Sequence, residues 1–159
     1  MEEKTLVLIK PDGLIKSLTG NIITTLSETK LKIVAAKVVK VKRKLAEKHY
    51  SELRKKLIKK FGKEEGTQIF EGTLEYIQGK FHTDRVFALV YKGKDAVNKI
   101  RELAGETNPE KANPISIRGK YGRIHSVTKV FENVIHCSDS LENAKEEIKL
   151  WFKPEEIVE

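Results

Sequence analysis

The chain has 159 residues, of which 39% are hydrophobic and 34% are charged, and it contains a single cysteine. This length and composition exclude a disordered chain and fit a domain with its own hydrophobic core. One cysteine excludes an internal disulfide and favours a reducing compartment, so we expect a cytoplasmic protein. No apolar stretch approaches the roughly 20 residues that a membrane helix needs, so no membrane partner is expected.

Strand and helix signals alternate along the first half of the chain. Residues 5–9 form a continuous apolar run, which predicts a strand covered on both faces. The KPDG sequence at 10–13 ends it, because proline cannot continue a β-ladder and Asp-Gly favours a turn. The apolar spacing then predicts a helix at 19–29, a strand at 33–41, and two helices at 45–61 and 64–78.

The second half returns to a strand, helix, strand and helix. A buried strand is predicted at 85–91 and a helix at 97–104, and residues 106–122 are expected to form a long functional loop. The extended segment at 125–132 has no assignment. A short strand beginning at 133 leads into a helix at 141–151, for which Asp139 is the predicted N-cap and Glu142 completes a capping box.

This order of elements predicts an α+β protein of the ferredoxin-like class, with βαββαβ topology. In that class a four-stranded antiparallel sheet carries its two main helices on one face, and additional helices are expected here. No repeat or linker divides the chain, so residues 1–159 are predicted to form one domain.

His136 lies between the predicted last strand and the start of the last helix. The free backbone N–H groups of a helix start favour an anion, so a histidine nucleophile there fits phosphoryl transfer. A structural histidine at a strand end explains this segment equally well. The chain lacks both common glycine-rich phosphate motifs, so side chains must hold any phosphate, and the candidates are Lys10, Arg101, Thr107 and Arg118.

Two other kinds of site find little support in the residue pattern. His136 and Cys137 are neighbours on a strand and point to opposite faces, so a cysteine nucleophile with a histidine base is not expected. A protein-bound metal is not expected either, because the four histidines, at 49, 82, 125 and 136, show no ligand spacing.

Six segments of the chain together resemble the nucleoside diphosphate kinase family. They are TLVLIKPDG at 5–13, HY at 49–50, GETNP at 105–109, SIRG at 116–119, NVIHCSDS at 133–140 and LWFKPEE at 150–156. They occur in the family's order and cover nearly the whole chain. Each motif alone is weak, but the set is highly specific.

The resemblance implies a ping-pong enzyme that transfers the γ-phosphate of a nucleoside triphosphate to a nucleoside diphosphate through a phosphohistidine. His136 would carry the phosphate, Glu147 would hydrogen-bond its other ring nitrogen, and Lys10 would share in catalysis. Residues that match the family's nucleotide contacts are Lys10, Tyr50, Arg101, Thr107, Arg118 and Asn133. Mg²⁺ would arrive on the nucleotide with no direct protein ligand, and Asp139 would touch it only through water.

Two stretches are longer than in the common family pattern. Residues 51–67 are also highly charged, so Phe70 is taken as the aromatic residue that stacks on the base, with Phe61 in competition. Residues 120–132 connect Arg118 to Asn133 at the rim of the expected site. A homo-oligomer is expected, with a hexamer favoured over a tetramer or dimer.

The alternative function is a basic nucleic-acid-binding module on the same fold. The formal net charge of +8 and the lysines between 37 and 63 favour it. Sheet-face RNA binders carry exposed aromatic residues on their central strands. The central strands here are apolar, so nucleic acid is not expected as the main partner.

Overall fold

A four-stranded antiparallel sheet forms the centre of the computed structural model, which describes residues 1–159. The six strands of the chain are β1 (Glu2–Ile9), β2 (Lys32–Val39), β3 (Val86–Lys94), β4 (Arg123–Ile124), β5 (Phe131–Glu132) and β6 (Ile135–Cys137). The order in the main sheet is β2-β3-β1-β6, and β4 and β5 form a separate hairpin. This order confirms the ferredoxin-like prediction.

Helices cover both faces of the sheet. They are α1 (Pro11–Ile15), α2 (Thr19–Ser27), α3 (Arg43–His49), α4 (Leu53–Phe61), α5 (Lys63–Ile77), α6 (Ala96–Ala104), α7 (Ile117–Tyr121) and α8 (Leu141–Trp151), followed by a 3-10 turn at Pro154–Glu156. The crossover helices α2 and α6 pack on one face, as predicted, and α3, α5 and α8 pack on the other. None of these helices combines the length and apolar character that a bilayer crossing demands.

The central strand β1 is buried on both sides, as its continuous apolar run predicts. Leu6 and Leu8 join the core beneath α5 and α8, whereas Val7 and Ile9 join the core beneath α2 and α6. All four side chains are fully buried. Because neither face of the sheet is open, the sheet has no platform on which RNA bases could stack, and the alternative function loses its structural basis.

The predicted helix at 45–61 is wrong as a single element, since it is divided into α3 and α4. The amide of Leu53 donates to the carbonyl of Tyr50 at 3.0 Å, a tight i to i+3 turn that redirects the chain. The apolar steps of three and four continue across this turn, which is why periodicity could not reveal it. Tyr50 lies at the bend, between the two helices.

The structure also differs from the sequence predictions in three places near the expected site. Residues 106–122 include the short helix α7, and the unassigned segment at 125–132 belongs to the β4–β5 hairpin. The N-cap of α8 is Ser140 and not Asp139, because the Ser140 hydroxyl accepts a hydrogen bond from the Asn143 amide at 3.1 Å. The Asp139 carboxylate instead accepts from the side-chain amide of Asn143 at 2.6 Å.

Candidate active site

A cavity of about 560 Å³ lies between α4, α8 and the end of β6. Distant parts of the chain contribute the polar side chains of its wall. Nine residues that the sequence singles out line it together: Lys10, Tyr50, Arg101, Thr107, Arg118, Asn133, His136, Asp139 and Glu147. The fold therefore brings the predicted phosphate ligands, histidine and carboxylate to one place.

His136 lies on β6, with one ring nitrogen turned towards α8. Its Nε2 lies 3.0 Å from Glu147 Oε1, although the two atoms lack the alignment of a hydrogen bond. The other nitrogen, Nδ1, also makes no hydrogen bond, but unlike Nε2 it is not fully buried. Nδ1 is therefore the ring nitrogen that is open to the cavity.

Ser138 holds the carboxylate that faces His136. Its hydroxyl donates to Glu147 Oε2 at 2.6 Å and accepts from the Leu6 amide at 3.2 Å. Ser138 is fully buried. It was not predicted as a site residue, although it follows His136 by two positions, the spacing that places two side chains on the same side of an extended chain.

We expect Ser138→Ala to lower kcat about 10-fold with little change in KM. The substitution frees the Glu147 carboxylate to rotate away from Nε2, and orienting contacts of this kind typically contribute an effect of this size. Steady-state kinetics with several nucleotide pairs measure it. The matched control is Ser140→Ala, which removes the N-cap of α8 and costs about 1 kcal/mol of stability while kcat stays unchanged. Equal kcat values in both variants would remove Ser138 from the site.

Lys10 ends β1 and points its ammonium group into the base of the cavity. Nζ donates to Asn133 Oδ1 at 2.7 Å, and the Asn133 side-chain amide donates to the Thr107 carbonyl at 2.8 Å. The side chain is only 7% exposed. Burial, together with the charge of Arg118, lowers the pKa of Lys10 to about 8. An anion in the cavity would stabilise the charged form.

Arg118 lies in the first turn of α7 and is held from two sides. Nη1 donates to the Gly105 carbonyl at 2.9 Å, and Nη2 donates to the Ile135 carbonyl at 3.1 Å. These bonds link the loop before α7 to the strand that carries His136. The guanidinium is thus pre-positioned at the cavity wall, which reduces the ordering needed when phosphate binds.

The backbone just before His136 adopts an uncommon conformation. Val134 has φ of 60°, in the left-handed region that β-branched residues rarely occupy. Its amide donates to Asp12 Oδ2 at 3.2 Å, its carbonyl accepts from the Lys10 amide at 2.9 Å, and the Tyr76 hydroxyl donates to Asp12. These buried contacts impose the turn that aims His136, and the sequence offered no signal for Asp12 or Tyr76 in this role.

The two phenylalanines considered for stacking on the base lie in different places. Phe70 packs in the core beneath α5 and does not line the cavity, whereas Phe61, at the end of α4, lines it and is 39% exposed. Ile69 also lines the cavity. Adjacent residues of a helix point about 100° apart, so Ile69 and Phe70 cannot face the same side. Of the two phenylalanines weighed in the sequence, Phe61 is therefore the better candidate for stacking.

We expect Phe61→Ala to raise the KM for nucleotides about 10-fold, because base–aromatic stacking typically contributes 1–3 kcal/mol. Phe70→Ala is the matched comparison. It should cost about 3–5 kcal/mol of stability, as a buried phenylalanine does, and leave KM unchanged. Kinetics and thermal unfolding of both variants separate the two roles. A raised KM in Phe70→Ala alone would reverse the assignment.

Comparison with known proteins agrees with this geometry. The family model of nucleoside diphosphate kinase matches residues 3–157. The chain belongs to the nucleoside diphosphate kinase family. A nucleoside diphosphate kinase from Pyrococcus furiosus is 42% identical over 157 residues, which cover 99% of this chain and 87% of the relative.

Solved structures of the family share the fold. An NDP kinase from Pyrobaculum aerophilum aligns with a TM-score of 0.86 at 31% identity and covers 100% of both chains. A nucleoside diphosphate kinase from Borrelia burgdorferi, with bound vanadate and ADP as a transition-state mimic, aligns with a TM-score of 0.83 at 32% identity. That alignment covers 99% of this chain and 91% of the Borrelia chain.

The protein therefore has nucleoside diphosphate kinase activity. It is a phosphotransferase that moves the γ-phosphate of a nucleoside triphosphate to a nucleoside diphosphate. The family resemblance that the sequence motifs indicated is confirmed. The roles of individual residues in this nucleoside diphosphate kinase follow from the contacts around His136.

Proposed function

We propose that His136 carries the phosphate in a ping-pong reaction, with Nδ1 as the nucleophile. The observation that carries this assignment is the division of the imidazole, with Nδ1 open to the cavity and Nε2 facing Glu147 at 3.0 Å. With its proton on Nε2, a neutral histidine has its lone pair on Nδ1. Glu147 favours that tautomer and stabilises the positive charge that develops as the N–P bond forms.

Each half of the reaction forms and breaks one bond. The Nδ1 lone pair attacks the γ-phosphorus, the bond to the bridging oxygen breaks, and the nucleoside diphosphate leaves with the electron pair. In the second half, a terminal phosphate oxygen of another nucleoside diphosphate attacks the phosphorus of the phosphohistidine, the Nδ1–P bond breaks, and its electron pair returns to Nδ1. The Nε2 proton remains on the ring throughout, so Glu147 acts by orientation and charge.

The cationic side chains neutralise the transferring phosphoryl group. Lys10 and Arg118 are buried at the base of the cavity, and Arg101 is exposed at its wall. Charge stabilisation by pre-positioned groups in a partly desolvated site is the main contribution a protein makes to phosphoryl transfer. Tyr50, Thr107 and Asn133 line the same cavity and complete the proposed nucleotide site.

Mg²⁺ is proposed to enter with the nucleotide as part of the substrate. Asp139 is an exposed carboxylate at the cavity that could contact its hydration shell. Partial desolvation opposes ionisation of Asp139, but the Asn143 hydrogen bond and the charges of Arg101 and Lys56 outweigh it and lower the pKa. An ionised, hydrated carboxylate suits a cation that keeps most of its own water.

We infer, further, that residues 1–159 act as a single kinase domain in a cytoplasmic homo-oligomer, with a hexamer favoured over a tetramer or dimer. The support for assembly is β2, which lies at the edge of the sheet and exposes Ile33 and Val38 at 47% and 63%. Unprotected edge strands with apolar side chains are prone to pair with another chain. Sedimentation or light scattering would give the assembled mass.

Phosphoenzyme formation tests the proposed mechanism. The wild-type protein is incubated with γ-labelled ATP and Mg²⁺ without acceptor, and should retain one acid-labile, base-stable phosphate per chain. Addition of unlabelled GDP should then move the label quantitatively into GTP. A direct transfer that requires both nucleotides at once, with no labelled protein, would contradict the proposal.

A further inference from the structure

A second histidine, from a distant part of the chain, lies against His136. The rings of His49, at the end of α3, and His136 are 4.4 Å apart between centroids, in an edge-to-face arrangement. One ring nitrogen of each histidine and one oxygen of Glu147 all lie within 4.8 Å of one another. The sequence did not predict this cluster, because the three residues come from three separate segments.

Nε2 of His49 is buried without a hydrogen-bond partner, and the buried Nε2 of His136 has Glu147 Oε1 at 3.0 Å but no aligned hydrogen bond. Unsatisfied buried polar atoms are rare in native proteins, and a bound ion is one of the explanations for them. His49 Nδ1 is occupied, since it accepts a hydrogen bond from the Trp151 indole at 3.1 Å. Burial and the neighbouring His136 and Lys10 lower the pKa of His49 well below its usual value, so the ring is neutral.

We propose that His49, His136 and Glu147 form a binding site for a divalent transition metal such as Zn²⁺ or Co²⁺. Two neutral imidazoles and one carboxylate are a ligand set that such ions accept, with a fourth position left for water. Ligand atoms around a tetrahedral zinc lie about 3.3 Å apart, so a shift of roughly 1 Å closes the cluster around the ion. Mg²⁺ prefers oxygen ligands and is not expected to compete.

The metal would inhibit the kinase, and this consequence rests on the proposed role of His136. A metal bound at Nε2 leaves the single ring proton of neutral His136 on Nδ1. Nδ1 then has no lone pair with which to attack phosphorus. Glu147 is drawn into coordination at the same time and no longer favours the reactive tautomer.

Trp151 acts against metal binding. While the indole donates to His49 Nδ1, the ring proton of neutral His49 must lie on Nε2. Coordination through Nε2 moves that proton to Nδ1, where it faces the indole N–H and the hydrogen bond is lost. Metal-bound histidines usually donate their second N–H to an acceptor, which Trp151 cannot provide.

Titration of the nucleotide-free wild-type protein with Co²⁺ tests the site. We expect one equivalent to bind with the intense visible absorption of a four-coordinate ion. His49→Ala should weaken binding at least about 10-fold. Trp151→Phe should tighten it about fivefold, the equivalent of one hydrogen bond. The matched control is His125→Asn, which replaces a histidine outside the cavity. Its affinity for Co²⁺ should equal that of the wild type.

Several results would overturn the site. The first is a weak Co²⁺ spectrum typical of six-coordination. The second is a His49→Ala variant that binds Co²⁺ as tightly as the wild type, and the third is a Trp151→Phe variant that binds it no more tightly than the wild type. Phosphorylation by labelled ATP in excess Mg²⁺ provides the second measurement, in which bound Zn²⁺ should block labelling of the wild type and EDTA should restore it. Metal-free protein that labels normally but binds no Co²⁺ contradicts this inference alone, whereas metal-free protein that fails to label contradicts the proposed function.

Discussion

Substitution of His136 by alanine is expected to abolish the phosphoenzyme and to lower kcat/KM at least ~1,000-fold, the scale seen when a covalent nucleophile is removed. Alanine has neither ring nitrogen, so the first half of the reaction has no acceptor for phosphorus and the second half has no phosphorylated donor. The loss should appear in kcat, while nucleotide affinity changes little, because the proposed phosphate contacts of Lys10 and Arg118 remain. Quench-flow labelling and equilibrium nucleotide binding measure the two quantities separately.

Cys137→Ser is the matched control for this substitution. Burial raises the pKa of the Cys137 thiol, so it stays protonated at neutral pH, and its side chain packs in the core beneath α2 and α6. Labelling should therefore persist in Cys137→Ser. Label that survives in His136→Ala, or disappears in Cys137→Ser, would place the phosphate on another residue.

Replacement of Lys10 by methionine is expected to lower kcat/KM about 100- to 1,000-fold, as loss of one pre-positioned charge-stabilising donor typically does. Methionine has a similar length but no charge, so the proposed phosphate site loses one of its two buried cations. The fold should persist, because the ammonium is desolvated in the native state and its removal relieves that cost. Circular dichroism and steady-state kinetics check the two expectations.

The pH dependence provides a sharper test of the same residue. The pKa of Lys10 is lowered to about 8 in the protein without nucleotide. The ammonium is therefore lost as pH rises through about 8, and kcat/KM of the wild type should fall above this value, because kcat/KM reports groups of the free enzyme. This alkaline decline should be absent in Lys10→Met. A decline that persists there would assign it to another group.

Much of the fold could be predicted because local patterns and burial agree. The run at 5–9 is apolar without interruption, which requires cover on both faces, and β1 has that cover. Where the apolar periodicity fitted more than one arrangement of helices, the predicted element was wrong. The apolar steps from Ala46 to Phe61 continue through the turn at Tyr50, so the sequence could not distinguish one long helix from α3 and α4.

The residues of the candidate site also divide into those that local motifs reveal and those that they do not. The motifs around Lys10, Arg118 and His136 identified the charged groups and the proposed nucleophile, and the fold places them around one cavity. The sequence did not predict the roles of Ser138, Asp12 and Tyr76, because each role depends on a hydrogen bond to another segment of the chain. Such contacts have no period and no spacing in the chain.

By itself, the sequence determined the order of the main-sheet strands and their crossover helices, the family and the chemical groups available for phosphoryl transfer, because these depend on residue type and on neighbours along the chain. Only the tertiary structure decided that Phe61 and not Phe70 faces the cavity, that Ser138 holds Glu147, and that His49 lies against His136. The physical reason is that these facts are distances between side chains from separate segments. Packing of α3, α5 and α8 on the sheet sets those distances, and no local pattern encodes them.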